Sequence, residues 1–356
     1  MANLRPSKTV QKLLISTTSR LVGEYEDPEI LIVHAFPDFR GPGFGARFQE
    51  TPMSRNAFVV TFRTEPIESG AIPDYTAFGD VVCAYLSVLF GKRFDNHGYI
   101  QGNGVYWIPD YGMFQSFCDP TLPQNSHDPR IDLEIPLDLS KISLIARLFN
   151  NEPLVRPLHF FQTAAGFYLQ ALQSFDRHRE IAYMNLITAV EILSHYFDYT
   201  EDELFDESIK ATLREIESAI PDRPKLANQV KSLLRQTKRR FANTLIRLVN
   251  DYFFSHTEST FKQGVMKQED FEQRVKATYD LRSRYVHTGI PFGDLMGLKI
   301  GGHCPEILGV TPSVGDKELE KLVVRALTYF GLERLVRFSL IRFIHLHAFF
   351  IDPRLD

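Results

Sequence analysis

A change of hydrophobic period constrains this chain more than any other feature. Up to about residue 107 the apolar residues gather in short β-branched and aromatic runs, of which Ile30-Leu31-Ile32-Val33 and Phe58-Val59-Val60-Thr61-Phe62 read as strands. From about residue 136 onward they recur at three- and four-residue intervals, the spacing of helices. Residues 108–136 between the two regimes are rich in Pro and polar residues, so a boundary or a long loop falls there. The pattern predicts an α+β chain, with a mixed α/β domain over 1–135 and an all-α domain over 136–356. A length of 356 residues suits two domains or one large one.

Within the first region, Val10, Leu13 and Leu14 fit one side of a short amphipathic helix over residues 7–20. Gly41-Pro42-Gly43-Phe44-Gly45 reads as a loop, and no Gly-Lys-Ser/Thr follows to make it a phosphate cradle. Residues 75–91 carry Phe78, Val81, Val82, Tyr85, Leu86 and Leu89, a buried helix. Tyr99-Ile100 and Val105-Tyr106-Trp107 flank Gln101-Gly102-Asn103-Gly104, the pattern of a hairpin with a glycine-rich turn.

In the second region Ser140 is the expected cap of a helix ending near Phe149. Pro157 suits the first turn of another, ending near Phe175. The Ala182–Phe197 helix is apolar on most faces, as a central bundle helix would be. Glu201, Asp202, Glu203, Asp206 and Glu207 open the next helix, where its N-terminal dipole favours them. Further helices are expected over 225–250, over 268–288 and, with an interruption, over 316–350, with a Gly/Pro-rich loop at 289–315.

Composition narrows the function classes. A formal net charge of -4 argues against coating nucleic acid through bulk charge and leaves room for a local basic groove. Cys83, Cys118 and Cys304 form neither a metal nor a disulfide pattern, which suits a reducing compartment. The start, Met1-Ala2-Asn3-Leu4-Arg5-Pro6, lacks the apolar core of a signal peptide, and no charge-free run reaches membrane-spanning length. A cytoplasmic protein without a membrane partner is the expectation. No His/Cys/Asp/Glu cluster suggests a metal site, His303-Cys304 lacking a second pair, and no cofactor is expected.

The stretch Asp280-Leu281-Arg282-Ser283-Arg284-Tyr285-Val286-His287-Thr288-Gly289 carries the chemistry. It reads as the last turns of a helix that Gly289 ends in left-handed conformation, with Pro291 beyond. Arg282 and His287 lie about 140° apart around that helix, so both can border a cleft beside its end. An imidazole titrates near neutrality and can move the proton of a ribose 2′-hydroxyl. A guanidinium can grip the scissile phosphate with a fixed fork of donors. Chance alone supplies roughly one Arg-x4-His pair in a chain of this composition. A second one, Arg342 to His347, sits in an apolar run with His345, and those two histidines read as core or interface residues. Only the first pair ends a helix in His-Thr-Gly after Leu-Arg-Ser-Arg-Tyr-Val.

That context resembles the HEPN superfamily, and within it the ApeA-like HEPN domains, over about residues 155–350. Phe167-Tyr168-Leu169-Gln170-Ala171-Leu172 and Ile181 to Leu193 are similar to an earlier helix pair of such domains. The resemblance implies an all-α helical bundle in which Arg282 and His287 are catalytic, in a metal-independent endoribonuclease that dimerises so that two motifs meet. Ser283 stands where the family often has Asn, Asp or His. Arg284 and Tyr285 would assist by holding phosphate or base, although Tyr285 also suits a core position. Glu191, mid-helix among apolar residues, would orient Arg282, against the alternative of an exposed or otherwise paired Glu. RNA, as tRNA or single strands, is then the expected partner, with a homodimer or higher homo-oligomer and a regulatory protein partner. The resemblance further suggests prokaryotic anti-phage defence or toxicity, with the N-terminal domain as sensor or restraint.

Two rivals remain. One is a non-catalytic HEPN-like module that binds RNA, a nucleotide or a partner protein. The other is a toxin silenced by nucleotidyl transfer, against which Gly289 counts, because that lineage commonly has a Tyr two positions after the His. Charge supplies a second signal. Between Arg223 and Asn250 there are many Lys and Arg and no Asp or Glu. Lys231, Arg235 and Lys238 fall on one stripe, and Arg239 and Arg240 follow. Such a run can track an RNA backbone. It equally suits a solvated face answering the acidic 201–217 segment.

Overall fold

The computed structural model describes residues 9–35, 56–65, 74–102, 130–149, 155–219, 236–299 and 304–355. Two compact units emerge from its contacts. One comprises Met1–Asn185 with Leu340–Asp356, and the other Leu186–Ser339. This grouping places residues 136–185 with the sheet, whereas the sequence pattern assigned them to the helical domain.

The first unit is built on an antiparallel five-stranded sheet in the order β3-β4-β5-β1-β6. Its strands are β1 (Thr9–Thr17), β3 (Tyr25–Glu26), β4 (Ile30–His34), β5 (Asn56–Thr64) and β6 (Phe94–Gly102). Short β2 (Leu21–Val22) pairs in parallel with β7 (Leu137–Asp138). The strands expected at Ile30 and Phe58 are β4 and β5.

The amphipathic helix expected over residues 7–20 is instead strand β1, hydrogen-bonded to β5 on one side and β6 on the other. Thr9, Val10, Ile15 and Thr17 favour extended backbone. The two-residue signal is missing because adjacent residues are both buried: Lys12, Leu13 and Ile15 are all 0 % exposed. Only Val10, Leu13 and Leu14 were left to mimic a helical stripe.

Helix α1 (Thr76–Phe90) follows the expectation and ends at Gly91, whose φ of 59° is the left-handed conformation glycine accepts. It packs on β6, on β1 and on α2 (Arg156–Ser174), where Tyr85 meets Phe161 at 5.4 Å between ring centroids. Burial pushes the Tyr85 phenol above its ordinary pKa. Strand β6 runs through Gln101 and Gly102, which the expected hairpin gave to its turn. The rest of that hairpin, and the Gly41–Gly45 loop, lie outside the described residues. Residues Leu139–Leu148 form a 3-10 helix, and its cap is Asp138 rather than Ser140. The Asp138 carboxylate accepts from Ser140 N at 2.8 Å, satisfying a donor of the first turn. Both boundaries between the units fall inside helices, α3 (Arg179–Ser194) and α11 (Tyr329–Leu346).

The second unit is helical. After α3 come α4 (Glu201–Leu204), α5 (Glu207–Ala219), α6 (Thr237–Leu248), α7 (Asp251–Ser255), α8 (Phe271–Thr288), α9 (Gly293–Met296) and α10 (Lys317–Arg325). A capping box of Thr200 and Glu203 opens α4, so the acidic cluster starts a helix as expected. The single long helix expected near 225–250 is described only from Thr237, and Lys231 and Arg235 lie outside the described residues. The interruption expected within 316–350 falls at Ala326–Thr328. There Leu327 bridges to Ile307, and its N–H donates to Thr278 Oγ1 at 3.0 Å.

Helix α8 is the hub of this unit, in contact with α6 and α10. Phe271, Val275, Thr278, Tyr279 and Leu281 are buried, and the Tyr279 ring packs on Phe241 of α6 at 5.3 Å. A second anchor is ionic. Glu306 and Arg334, with side chains 2 % and 8 % exposed, pair at 2.7 Å. Glu306 also accepts from Thr257 Oγ1 and Met266 N, and Arg334 donates to the carbonyls of Phe253 and His256. Every charge there is compensated, and removing one partner strands the other. Glu306→Ala is expected to cost about 3–5 kcal/mol of unfolding free energy in urea titration. A cost under about 1 kcal/mol would contradict the anchoring role.

Candidate functional site

Helix α8 delivers the Arg-x4-His pair as its sequence implies. Gly289 caps the helix at φ 69°, and its N–H donates to Tyr285 O at 2.8 Å. Because the helix stops there, His287 sits in the last turn and is exposed, flanked by exposed Val286 and Ile290. Arg282 lies further in, with a quarter of its side chain exposed.

Glu191 of α3 stands beside Arg282. Its Oε2 lies 3.7 Å from Arg282 Nη2, an ion pair longer than a hydrogen bond. The Arg282 guanidinium also lies over the Tyr279 ring, 5.6 Å from Cζ to centroid. The Tyr279 hydroxyl donates to Glu191 Oε1 at 2.9 Å and lies 3.1 Å from Thr237 Oγ1. Burial, ahead of the nearby Glu191 charge, raises the Tyr279 pKa, so this phenol remains a neutral donor at physiological pH. Arg282 Nε is buried without a hydrogen-bond partner among the described residues. Neither Tyr279 nor Thr237 carries a motif that marks it in the sequence. Their 42-residue separation leaves no trace in local spacing.

The other candidates separate. Ser283 is half-buried beside Arg282. Arg284 turns to Asp316, Nη2 to Oδ2 at 2.5 Å, and Tyr285 packs edge-on against Phe292 at 5.7 Å. These contacts tie the end of α8 to its neighbours. Lys238 pairs with Asp280 at 2.6 Å, Arg239 with Asp206 at 2.6 Å, and Arg240 lies over the Tyr199 ring at 5.3 Å. Arg247 joins Glu203 at 2.5 Å. The described part of the basic run therefore answers acidic residues, two of them in the 201–217 segment. In the second Arg-x4-His pair, His347 packs on Phe343 and burial lowers its pKa, while His345 Nδ1 bonds Phe350 O at 3.1 Å.

Among the described residues no group of three or more His, Cys, Asp or Glu is placed to hold a metal ion, and no helix is long and apolar enough to cross a membrane. The arrangement offers a guanidinium steered by a carboxylate and an aromatic face, with an exposed imidazole one to two turns away. It can bind an anion and move a proton next to it. No family model, curated protein or solved structure matches the chain.

Asp316 yields a test of how the end of α8 is tied down. Its Oδ1 accepts from Leu319 N at 3.0 Å and Glu318 N at 3.1 Å. The Leu319 N–H first, and then Arg284, hold its carboxyl below the ordinary 3.8. The folded pKa is depressed, so this stabilisation is complete above the unfolded value. It is lost as pH falls through the folded one. Asp316→Asn is expected to flatten the loss of urea stability between about pH 5 and pH 3. Parallel curves for wild type and variant would contradict this.

Proposed function

We propose that the chain is a metal-independent endoribonuclease of HEPN type. The observation that supports this best is the pairing of a partly exposed Arg282, steered by Glu191, with an exposed His287 at the same helix end. A structural histidine in a helix terminus would more usually be packed or bonded, as His345 and His347 are.

In this reading His287 takes the proton from a ribose 2′-hydroxyl. The 2′-oxygen attacks the adjacent phosphorus, and the bond from phosphorus to the 5′-oxygen breaks. Arg282 stabilises the charge that gathers on the non-bridging oxygens. The 5′-oxygen leaves with a proton, giving a 2′,3′-cyclic phosphate and a 5′-hydroxyl. One motif supplies one imidazole, so a homodimer bringing two motifs together would provide acid and base at once. Ser283 can hydrogen-bond the phosphate but carries no charge. A role as toxin or effector in cytoplasmic anti-phage defence, with the sheet-containing region as sensor, follows from the resemblance.

A non-catalytic module that binds RNA, a nucleotide or a protein is the second reading. The ion pairs of Lys238, Arg239 and Arg284 favour it, since they occupy cations that a nuclease would direct at phosphate.

Incubation of mixed tRNA and single-stranded RNA with the protein in EDTA tests the proposal. Wild type is expected to cut, with His287→Ala slower by about 10²–10⁴-fold, the range for loss of a general acid or base. Arg282→Ala is expected to fall by at least about 10²-fold, as for loss of a charge-stabilising donor. Equal rates for three folded proteins would remove the ribonuclease reading.

A further inference from the structure

We propose that Tyr279 is a positioning residue for Arg282, aiming its guanidinium at the scissile phosphodiester; the inference rests on the ribonuclease reading above. Tyr279 precedes Arg282 by three residues on α8, close to one turn, so the two side chains are neighbours on the helix surface. It holds Arg282 in two ways. Its ring offers a negative face to the guanidinium at 5.6 Å. Its hydroxyl donates to Glu191 Oε1 at 2.9 Å, while Glu191 Oε2 faces Arg282 Nη2 at 3.7 Å.

The second contact explains how a long, loose ion pair can still orient its partner. A Glu side chain has three rotatable bonds and, left alone, would follow the arginine rather than direct it. The tyrosine hydroxyl fixes one carboxylate oxygen, and with it the direction of the other. Tyr279 is itself fixed. Its ring packs on Phe241 at 5.3 Å, and Thr237 Oγ1 lies 3.1 Å from its hydroxyl. The result is a chain running Thr237–Tyr279–Glu191–Arg282, in which the first three members never need to touch RNA. A quarter of the Arg282 side chain stays exposed, so the guanidinium held by this chain can still be reached by a phosphate oxygen.

The experiment compares wild type, Tyr279→Phe, Glu191→Gln and the double variant. Phe keeps the ring, the packing on Phe241 and the face under Arg282, and removes only the hydroxyl. In RNA cleavage the inference expects Tyr279→Phe to lower kcat about tenfold with KM within about twofold, the loss of one oriented hydrogen bond. Because Tyr279 acts through Glu191, the double variant should be no slower than Glu191→Gln alone. Effects that multiply in the double variant, or a Tyr279→Phe enzyme as fast as wild type, would overturn it.

A second measurement does not depend on activity. The Arg282 side-chain Nε–H resonance, assigned against Arg282→Lys, is expected to be resolved in wild type. It should shift toward the position of unstructured arginine in both single variants. If wild type cuts no RNA, the ribonuclease reading falls, and this resonance alone decides the positioning claim. A signal unmoved in both variants overturns that claim.

Discussion

Burial of one face of α8 is the constraint on which the rest of the helical unit depends. Phe271, Val275, Thr278, Tyr279 and Leu281 fill that face. Their burial sets the rotation of the helix about its axis, and rotation decides where Arg282 and His287 stand. Polar ties then fix the helix along its length. Arg274 joins Asp270, Thr278 accepts from Leu327 N, and Arg284 joins Asp316. Apolar burial supplies most of the driving force, and the polar ties select one register. Arg282 falls at the rim between the buried and open faces, so a carboxylate reaches it from inside while a quarter of its side chain stays exposed.

Much of this was legible from residue spacing. The helix, its glycine end and the place of Arg282 and His287 in its last turns follow from local pattern, because each depends on helical geometry, whereas Glu191 was linked to Arg282 only through the family resemblance. The strands at Ile30 and Phe58 were equally plain. What local pattern missed shares one cause, pairing between distant residues. Strand β1 looks helical because it is buried on both faces, and burial on both faces erases the alternation that marks a half-exposed strand. The hydroxyl of Tyr279 meets Glu191 across 88 residues, and no window on the sequence spans that. Asp138 displaced Ser140 as a cap because either residue is a good one by type, and only the backbone conformation chooses between them.

Charge shows the same limit from the other side. A run of Lys and Arg without a single acid looks like a surface for RNA when read alone. In the fold, Arg239 and Arg247 meet Asp206 and Glu203, and Lys238 meets Asp280. These pairs are half-exposed and contribute little stability each. Their effect is to neutralise the described, C-terminal part of the basic run.

The central claim is that Arg282 and His287 cut RNA through the ribose 2′-hydroxyl. It is tested most directly by giving the protein, in EDTA, an RNA pool and the same pool methylated at every 2′-oxygen, then determining the chemistry of the ends. The account predicts that the unmethylated pool is cut to 2′,3′-cyclic phosphate and 5′-hydroxyl ends while the methylated pool stays whole. Cutting of the methylated pool, 5′-phosphate ends, or two intact pools would contradict it.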